Sequence, residues 1–167
     1  QGNRGNIARC DRAKETREAL ALLGVRDVIV CSLPDTQLHT VLIDVIEAIS
    51  DEVAELKPER VYTMFHKDRH QDHRAVHEAS MVACRPVPQI LGYETPSSQP
   101  EFTPSYWELV SPHDLDAKVA AIKAHRSQAH RLYMQSECIR AVAAFRGYQA
   151  NLSFGEGFVP YKLVNGT

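Results

Sequence analysis

No C-x-x-C pair occurs in this chain, and its four cysteines stand apart at positions 10, 31, 84 and 138. That spacing argues against a zinc finger or a thioredoxin-type redox site. Reduced, structural thiols are expected, as in a cytosolic protein, with Cys31 and Cys84 buried in apolar surroundings. Neither sign of charge dominates: 19 Lys and Arg stand against 21 Asp and Glu, a formal net charge of −2 with histidines neutral. The basic residues are dispersed as well, which leaves no electrostatic case for nucleic acid or an anionic membrane. No apolar run approaches the roughly 20 residues that span a bilayer, and no signal-peptide pattern opens the chain. Internal repeats and low-complexity tracts are also lacking. What is present is 167 residues, 44% hydrophobic and 24% charged, enough for one domain over residues 1–167 with a core of its own.

The opening Gln1–Asn6 reads as a polar, Gly-containing loop. A helical pattern runs from Ile7 to Gly24, with Ala8, Thr16, Ala19, Leu20, Leu22 and Leu23 as its apolar side. Asp27–Leu33 reads as a buried strand, and Thr40–Leu56 as a second helix closed by Lys57-Pro58. Arg60–Phe65 is the next strand and 71–84 the next helix, stopped by Pro86 and Pro88. Ile90–Glu94 and Tyr106–Val110 read as strands around the loop Thr95–Pro104. Ser111 caps a further helix with Pro112 in its first turn. Lys118–His130 and Ser136–Arg146 are helical in period, Gly147 interrupts, and Gly157–Val164 forms a last strand. This alternation predicts an α/β sandwich around a mostly parallel sheet. The chain opens on a helix where such sheets usually open on a strand, so N-terminal strand material is expected to be missing.

Residues 68–77, Asp-Arg-His-Gln-Asp-His-Arg-Ala-Val-His, carry the densest chemistry in the chain: three histidines and two carboxylates in ten positions. They follow the apolar run Val61–Phe65, where a strand hands over to a helix, and open α/β sheets bind ligands at the carboxyl ends of their strands. His73 and His77 are four apart and share a helix face. Neutral imidazole is a common zinc ligand, and a catalytic zinc keeps one position open for a water. A second imidazole can stabilise an oxyanion, and a carboxylate such as Asp72 can hold an imidazole in one tautomer. The plainer reading is a polar helix start capped by Asp68 or Asp72, with the histidines facing water.

This decapeptide resembles the second signature of the PIG-L/LmbE-like zinc-dependent N-acetylglucosaminyl deacetylases. Arg17–Val25, Ser32-Leu-Pro-Asp35, Lys57–Thr63, Lys118 with Ser127-Gln128, and Arg146-Gly147 with Gly155-Glu-Gly-Phe158 are similar to further family segments, so nearly the whole chain is covered. The resemblance implies a Rossmann-like three-layer sandwich and zinc-dependent hydrolysis of an acetamide on an amino sugar. It implies His73 as a zinc ligand, His70 as the imidazole at the carbonyl oxygen, and Asp72 as the group that orients His70. The family's first signature, His-Pro-Asp-Asp, supplies a histidine ligand, an aspartate ligand and the general base. It does not occur in these 167 residues, so the resemblance implies an N-terminally incomplete domain, a fragment of an active deacetylase.

Two alternatives stand beside this reading. One is a self-contained metallohydrolase using His70, His73 and His77. Its nearest pattern, His-x-His-x-Asp-His, would need a histidine where Asp68 stands. The other is a non-catalytic binding or assembly module. Arg69 and Glu94 are candidate substrate contacts, although Arg69 beside two aspartates equally suits a structural ion pair. Tyr106 and Trp107 suit a core or an oligomer contact better than a sugar platform, and His113, His125 and His130 receive no role. The expected partner is a small amino-sugar or glycoconjugate, without nucleic acid or membrane, in the cytoplasm, with a homo-oligomer left open.

Overall fold

The computed structural model describes residues 3–164, with side-chain environments from residue 12 onward. In chain order the elements are α1 (Asn3–Leu22), α2 (Leu42–Leu56), β1 (Arg60–Met64), α3 (Gln71–Ala83), β2 (Gln89–Tyr93), β3 (Tyr106–Leu109), α4 (Pro112–Lys123), α5 (Ser136–Gln149) and β4 (Gly155–Leu163). Short 3-10 turns occupy Leu38–Val41, Arg126–Gln128 and Leu132–Met134. The strands form one sheet in the order β1-β2-β4-β3. Strands β1 and β2 run parallel, in register from Arg60 opposite Gln89 to Met64 opposite Tyr93. Strand β4 runs antiparallel to β2.

The sheet is therefore mixed rather than mostly parallel. Ser105 N–H donates to Phe158 C=O and Val110 N–H to Phe154 C=O, so β3 and β4 also run in opposite senses. Two helices lie between β3 and β4 in the chain, and an even number of them returns the chain to the end at which β3 finished, so that the next strand runs in the opposite sense. A single crossover helix would have given a parallel neighbour.

Contacts divide the chain into two units, Cys31–Trp107 with Gly157–Thr167 and Gln1–Val30 with Glu108–Glu156. In the first, α2 packs on α3, and Val53, Cys84, Val87 and Ile90 form a core with Ile49, Val61, Met81 and Tyr161 around it. Helix α2 ends where Lys57 adopts a left-handed conformation, φ 47°, its N–H returning to Val53 C=O. Pro58 then cannot extend the ladder. Buried Thr63 on β1 donates to Ser80 Oγ at 2.8 Å, and Ser80 donates to Val76 C=O at 2.7 Å, which satisfies both hydroxyls between strand and helix.

In the second unit, Leu115, Val119, Ile139 and Ala143 form the core between α4 and α5. Ser111 and Asp114 close a reciprocal capping box at the start of α4, with Pro112 in the first turn as expected. The helix stops at Lys123 rather than continuing to His130. Ser127 N–H and Oγ both donate to buried Glu15, at 2.8 and 2.6 Å, which takes that amide out of helical pairing. Gly147 does not interrupt α5 but lies inside it, where the backbone of Leu152 and Phe154 comes too close to admit a Cβ.

Three further expectations are corrected. Asn3–Asn6 belong to α1 rather than to an opening loop, while Gln1 and Gly2 lie outside the described residues. Residues 27–33 form no strand: Ile29 is 61% exposed and Cys31 is exposed, whereas Cys84 is buried. A strand exists only where its N–H and C=O groups find a ladder, and no described strand pairs with this segment. Cys31, Cys84 and Cys138 are free thiols, and the side chain of Cys10 lies outside the described residues.

Candidate active site

Because β1 and β2 are parallel, the loops that leave them emerge at the same end of the sheet, the end where α/β proteins bind ligands. The two loops are tied together by backbone bonds. Phe65 N–H donates to Tyr93 C=O at 3.1 Å, Arg69 N–H to Ser97 C=O at 3.0 Å, and Gln99 N–H to Lys67 C=O at 2.9 Å. Between them Asp68 and Ser98 make an isolated antiparallel bridge. The Arg69 guanidinium adds bonds to Ser97 C=O at 3.3 Å and Pro96 C=O at 3.2 Å, so it clamps the second loop through main-chain oxygens. Glu94, half-buried, follows directly on the end of β2.

The centre of this arrangement is Asp68, which has no exposed surface. Its Oδ1 accepts from His70 N–H at 2.8 Å, and its Oδ2 accepts from Thr95 Oγ1 at 2.7 Å and Ser98 Oγ at 3.4 Å. His73 Nδ1 lies 3.1 Å from the same Oδ2 and 3.3 Å from Ser97 Oγ. Burial alone would raise the Asp68 pKa. Hydrogen bonds from Ser97, Thr95, the His70 amide and His73 outweigh it and hold the carboxyl well below the ordinary carboxylate range.

Neither aspartate caps α3. His70 is the N-cap, its Nδ1 accepting from Asp72 N–H at 3.2 Å. The link from Asp72 to His70 thus runs through the main chain. The buried Asp72 carboxylate instead accepts from Thr36 N–H at 2.6 Å and Leu38 N–H at 3.1 Å, holding the segment before α2 against the start of α3. One turn on, His73 stacks against His70 with ring centroids 4.6 Å apart.

His77 faces elsewhere. Its Nδ1 lies 3.1 Å from Met64 C=O and its ring packs 4.7 Å from Tyr161. Burial lowers its pKa, only partly countered by the Met64 carbonyl. The Tyr161 hydroxyl also holds His66, lying 2.9 Å from both its N–H and its Nδ1. Among the described residues, no three His, Cys, Asp or Glu side chains group closely enough to hold a metal ion. The self-contained site on His70, His73 and His77 is therefore not formed, because His77 is committed to Met64 and Tyr161. Among the described residues of the motif, His73 has its Nδ1 on a buried carboxylate, the kind of support that ligand histidines generally have.

The structure thus brings together His70, Asp72 and His73, places Arg69 and Glu94 at the same end of the sheet, and separates His77 from them. Sequence reasoning missed the part played by Asp68 and by Thr95, Ser97 and Ser98. The available signal was a buried-type partner for an imidazole at the head of the motif, opposite a loop that opens with hydroxyls at 95, 97 and 98.

A sequence profile of the PIG-L family, GlcNAc-PI de-N-acetylase, matches residues 1–84. The uncharacterised deacetylase YaiS of Escherichia coli (strain K12) is 47% identical over 131 residues, spanning 75% of this chain and 71% of that protein. A conserved protein from Thermus thermophilus has the same α/β fold, with a TM-score of 0.78 at 24% identity over 94% of this chain and 75% of its own. The N,N'-diacetylchitobiose deacetylase from Pyrococcus horikoshii has a TM-score of 0.68 at 23% identity, over 90% of this chain and 63% of its own. The extent of the profile match and the identity to YaiS settle kinship: this chain belongs to the PIG-L family.

Proposed function

We propose that this protein is a zinc-dependent hydrolase that removes an N-acetyl group from an amino-sugar substrate of the N-acetylglucosamine type, releasing acetate and a free amine. The observation that carries this reading is the His73 imidazole held on the fully buried Asp68 at the carboxyl ends of two parallel strands. Membership of the PIG-L family, whose profile is that of a GlcNAc-PI de-N-acetylase, supplies the reaction class. YaiS, described as a deacetylase, supports it.

In this reading His73 contributes one zinc ligand. Zinc, when bound, lowers the pKa of a coordinated water to about 7. His70, fixed as the N-cap of α3, donates a hydrogen bond to the amide carbonyl oxygen as it gains negative charge. Asp72 positions His70 through its main-chain N–H and through its grip on Thr36 and Leu38. Arg69 and Glu94, at the rim, are the candidates for contact with sugar hydroxyls. No described helix is long and apolar enough to cross a membrane, and a cytoplasmic enzyme acting on a small glycoconjugate is the setting we adopt.

The test is acetate and amine release from a panel of N-acetylated amino-sugar conjugates by zinc-supplemented protein. Turnover that His73→Ala abolishes, with the fold intact by circular dichroism, is the expected result. No release from any member of the panel would defeat the reading.

A further inference from the structure

We infer that His70 and His73 are held as opposite tautomers, His70 with its proton on Nε2 and His73 with its proton on Nδ1, and that Asp68 is the positioning residue for His73. The inference rests on the proposed function for what the two rings do, while the tautomers follow from hydrogen bonds alone.

A neutral imidazole has one proton for two nitrogens, so a partner of known polarity at one nitrogen decides the state of the other. At His70 the partner is Asp72 main-chain N–H, 3.2 Å from Nδ1, and a main-chain N–H can only donate. Nδ1 is therefore the acceptor and Nε2 carries the proton.

At His73 the direction is reversed. Asp68 accepts the His70 N–H and the Thr95 hydroxyl, at 2.8 and 2.7 Å, and offers oxygen lone pairs to His73. The Asp68 carboxylate has no proton to give, and its Oδ2 lies 3.1 Å from His73 Nδ1. The Ser97 hydroxyl, 3.3 Å from the same nitrogen, can take either role and follows the carboxylate. The partner of fixed polarity is thus an acceptor, so Nδ1 carries the proton and Nε2 is bare.

Two stacked rings, 4.6 Å apart, thus present one lone pair and one N–H. A lone pair suits a metal ion and an N–H suits a carbonyl oxygen that gains charge, so each ring is committed to one task before substrate arrives. The two aspartates divide the work differently from their symmetric spacing in the sequence. Asp68 acts on His73 through its carboxylate, and Asp72 acts on His70 through its amide.

The deciding experiment is nitrogen-15 NMR of the histidine rings in the full chain after chelator treatment, at a pH where both rings are neutral. The expected pattern is a protonated Nδ1 with a bare Nε2 at His73, and the reverse at His70. Either ring in the other tautomer, or His73 averaging between the two, overturns the inference. In Asp68→Asn, which offers a donor as well as an acceptor, His73 is expected to lose its single-tautomer pattern. Asp72→Asn is expected to keep both patterns, because the deciding group is the main-chain N–H. The native chain decides the question by itself should either variant fail to fold. Opposite tautomers without acetate release would defeat the functional reading and leave this one standing. Acetate release with the wrong tautomers would do the converse.

Discussion

Asp68 Oδ2 meets His73 Nδ1 at 3.1 Å, and the aspartate side chain is fully buried while 27% of the histidine side chain reaches solvent. The pair thus spans the boundary between core and site. A carboxylate without surface of its own holds a ring that has some, and the hydroxyls of a second loop hold the carboxylate. Stability and the proposed chemistry meet in one residue, which makes Asp68 the first place to test both.

Removing that carboxylate should be costly. Asp68→Ala strips the acceptor from His70 N–H, Thr95 Oγ1 and His73 at a position where the carboxylate itself is fully buried. A buried donor left without a partner costs about 1–3 kcal/mol, and we expect a total loss of about 2–5 kcal/mol for the variant. Urea unfolding with an unchanged m value would report it as a lower midpoint. A loss below about 1 kcal/mol would mean that water takes the place of the missing carboxylate.

His77 should make the fold sensitive to mild acid. Burial, its largest influence, holds the folded pKa below the ordinary histidine value of 6.5. The unfolded chain therefore binds more protons than the folded one once pH falls below about 6.5. The stability that neutral His77 contributes is complete above that pH and is lost as pH falls toward the folded value. The difference in urea midpoint between pH 7.5 and 5.5 should shrink in His77→Gln. An unchanged difference would place the acid sensitivity elsewhere.

Gly147→Ala sets helix propensity against packing. Alanine is the better helix former by about 1 kcal/mol. A Cβ at this position would lie 2.8 Å from Leu152 O and from the Phe154 backbone, which cannot swing aside as a flexible side chain can. Overpacking of that kind costs about 1–3 kcal/mol, so we expect net destabilisation in a thermal melt. A raised melting temperature would show that the turn after α5 yields.

Ser111→Ala should cost about 1 kcal/mol, the usual worth of an N-cap hydroxyl. Here the Ser111 side chain accepts from Asp114 N–H at 3.1 Å while the Asp114 carboxylate reaches back to Ser111 N–H at 3.2 Å. Ser111→Thr should recover most of the loss. Equal melting temperatures for the alanine variant and the native chain would assign the helix start to Pro112 alone.

The elements that local patterning controls were legible in the sequence. Periodicity and breakers placed α3 and the strands on either side of it to within a residue or two, and Ser111-Pro112 marked the start of α4. What escaped was set by partners distant in the chain. The apolar stretch 27–33 has every local mark of a strand, yet no described strand pairs with it. The antiparallel pairing of β4 with β2 joins segments far apart in the chain, and neither strand's own pattern encodes it. In the motif, Asp68 and Asp72 are equivalent by spacing. Only the fold, which brings Thr95 across 27 residues to Asp68 and Thr36 across 36 to Asp72, tells them apart.

For anyone who would broaden what this protein accepts, the loop after β2 is an obvious target for a library, and it is less open than it looks. Thr95, Ser97 and Ser98 commit their hydroxyls to the Asp68–His73 network, so randomising them would disturb that network together with the loop. Pro96 and Gln99 contribute main-chain rather than side-chain atoms to the loop's ties, through Pro96 C=O and Gln99 N–H. Diversity is best placed at those two positions, where new side chains can reshape the rim while the buried wiring beneath is inherited unchanged.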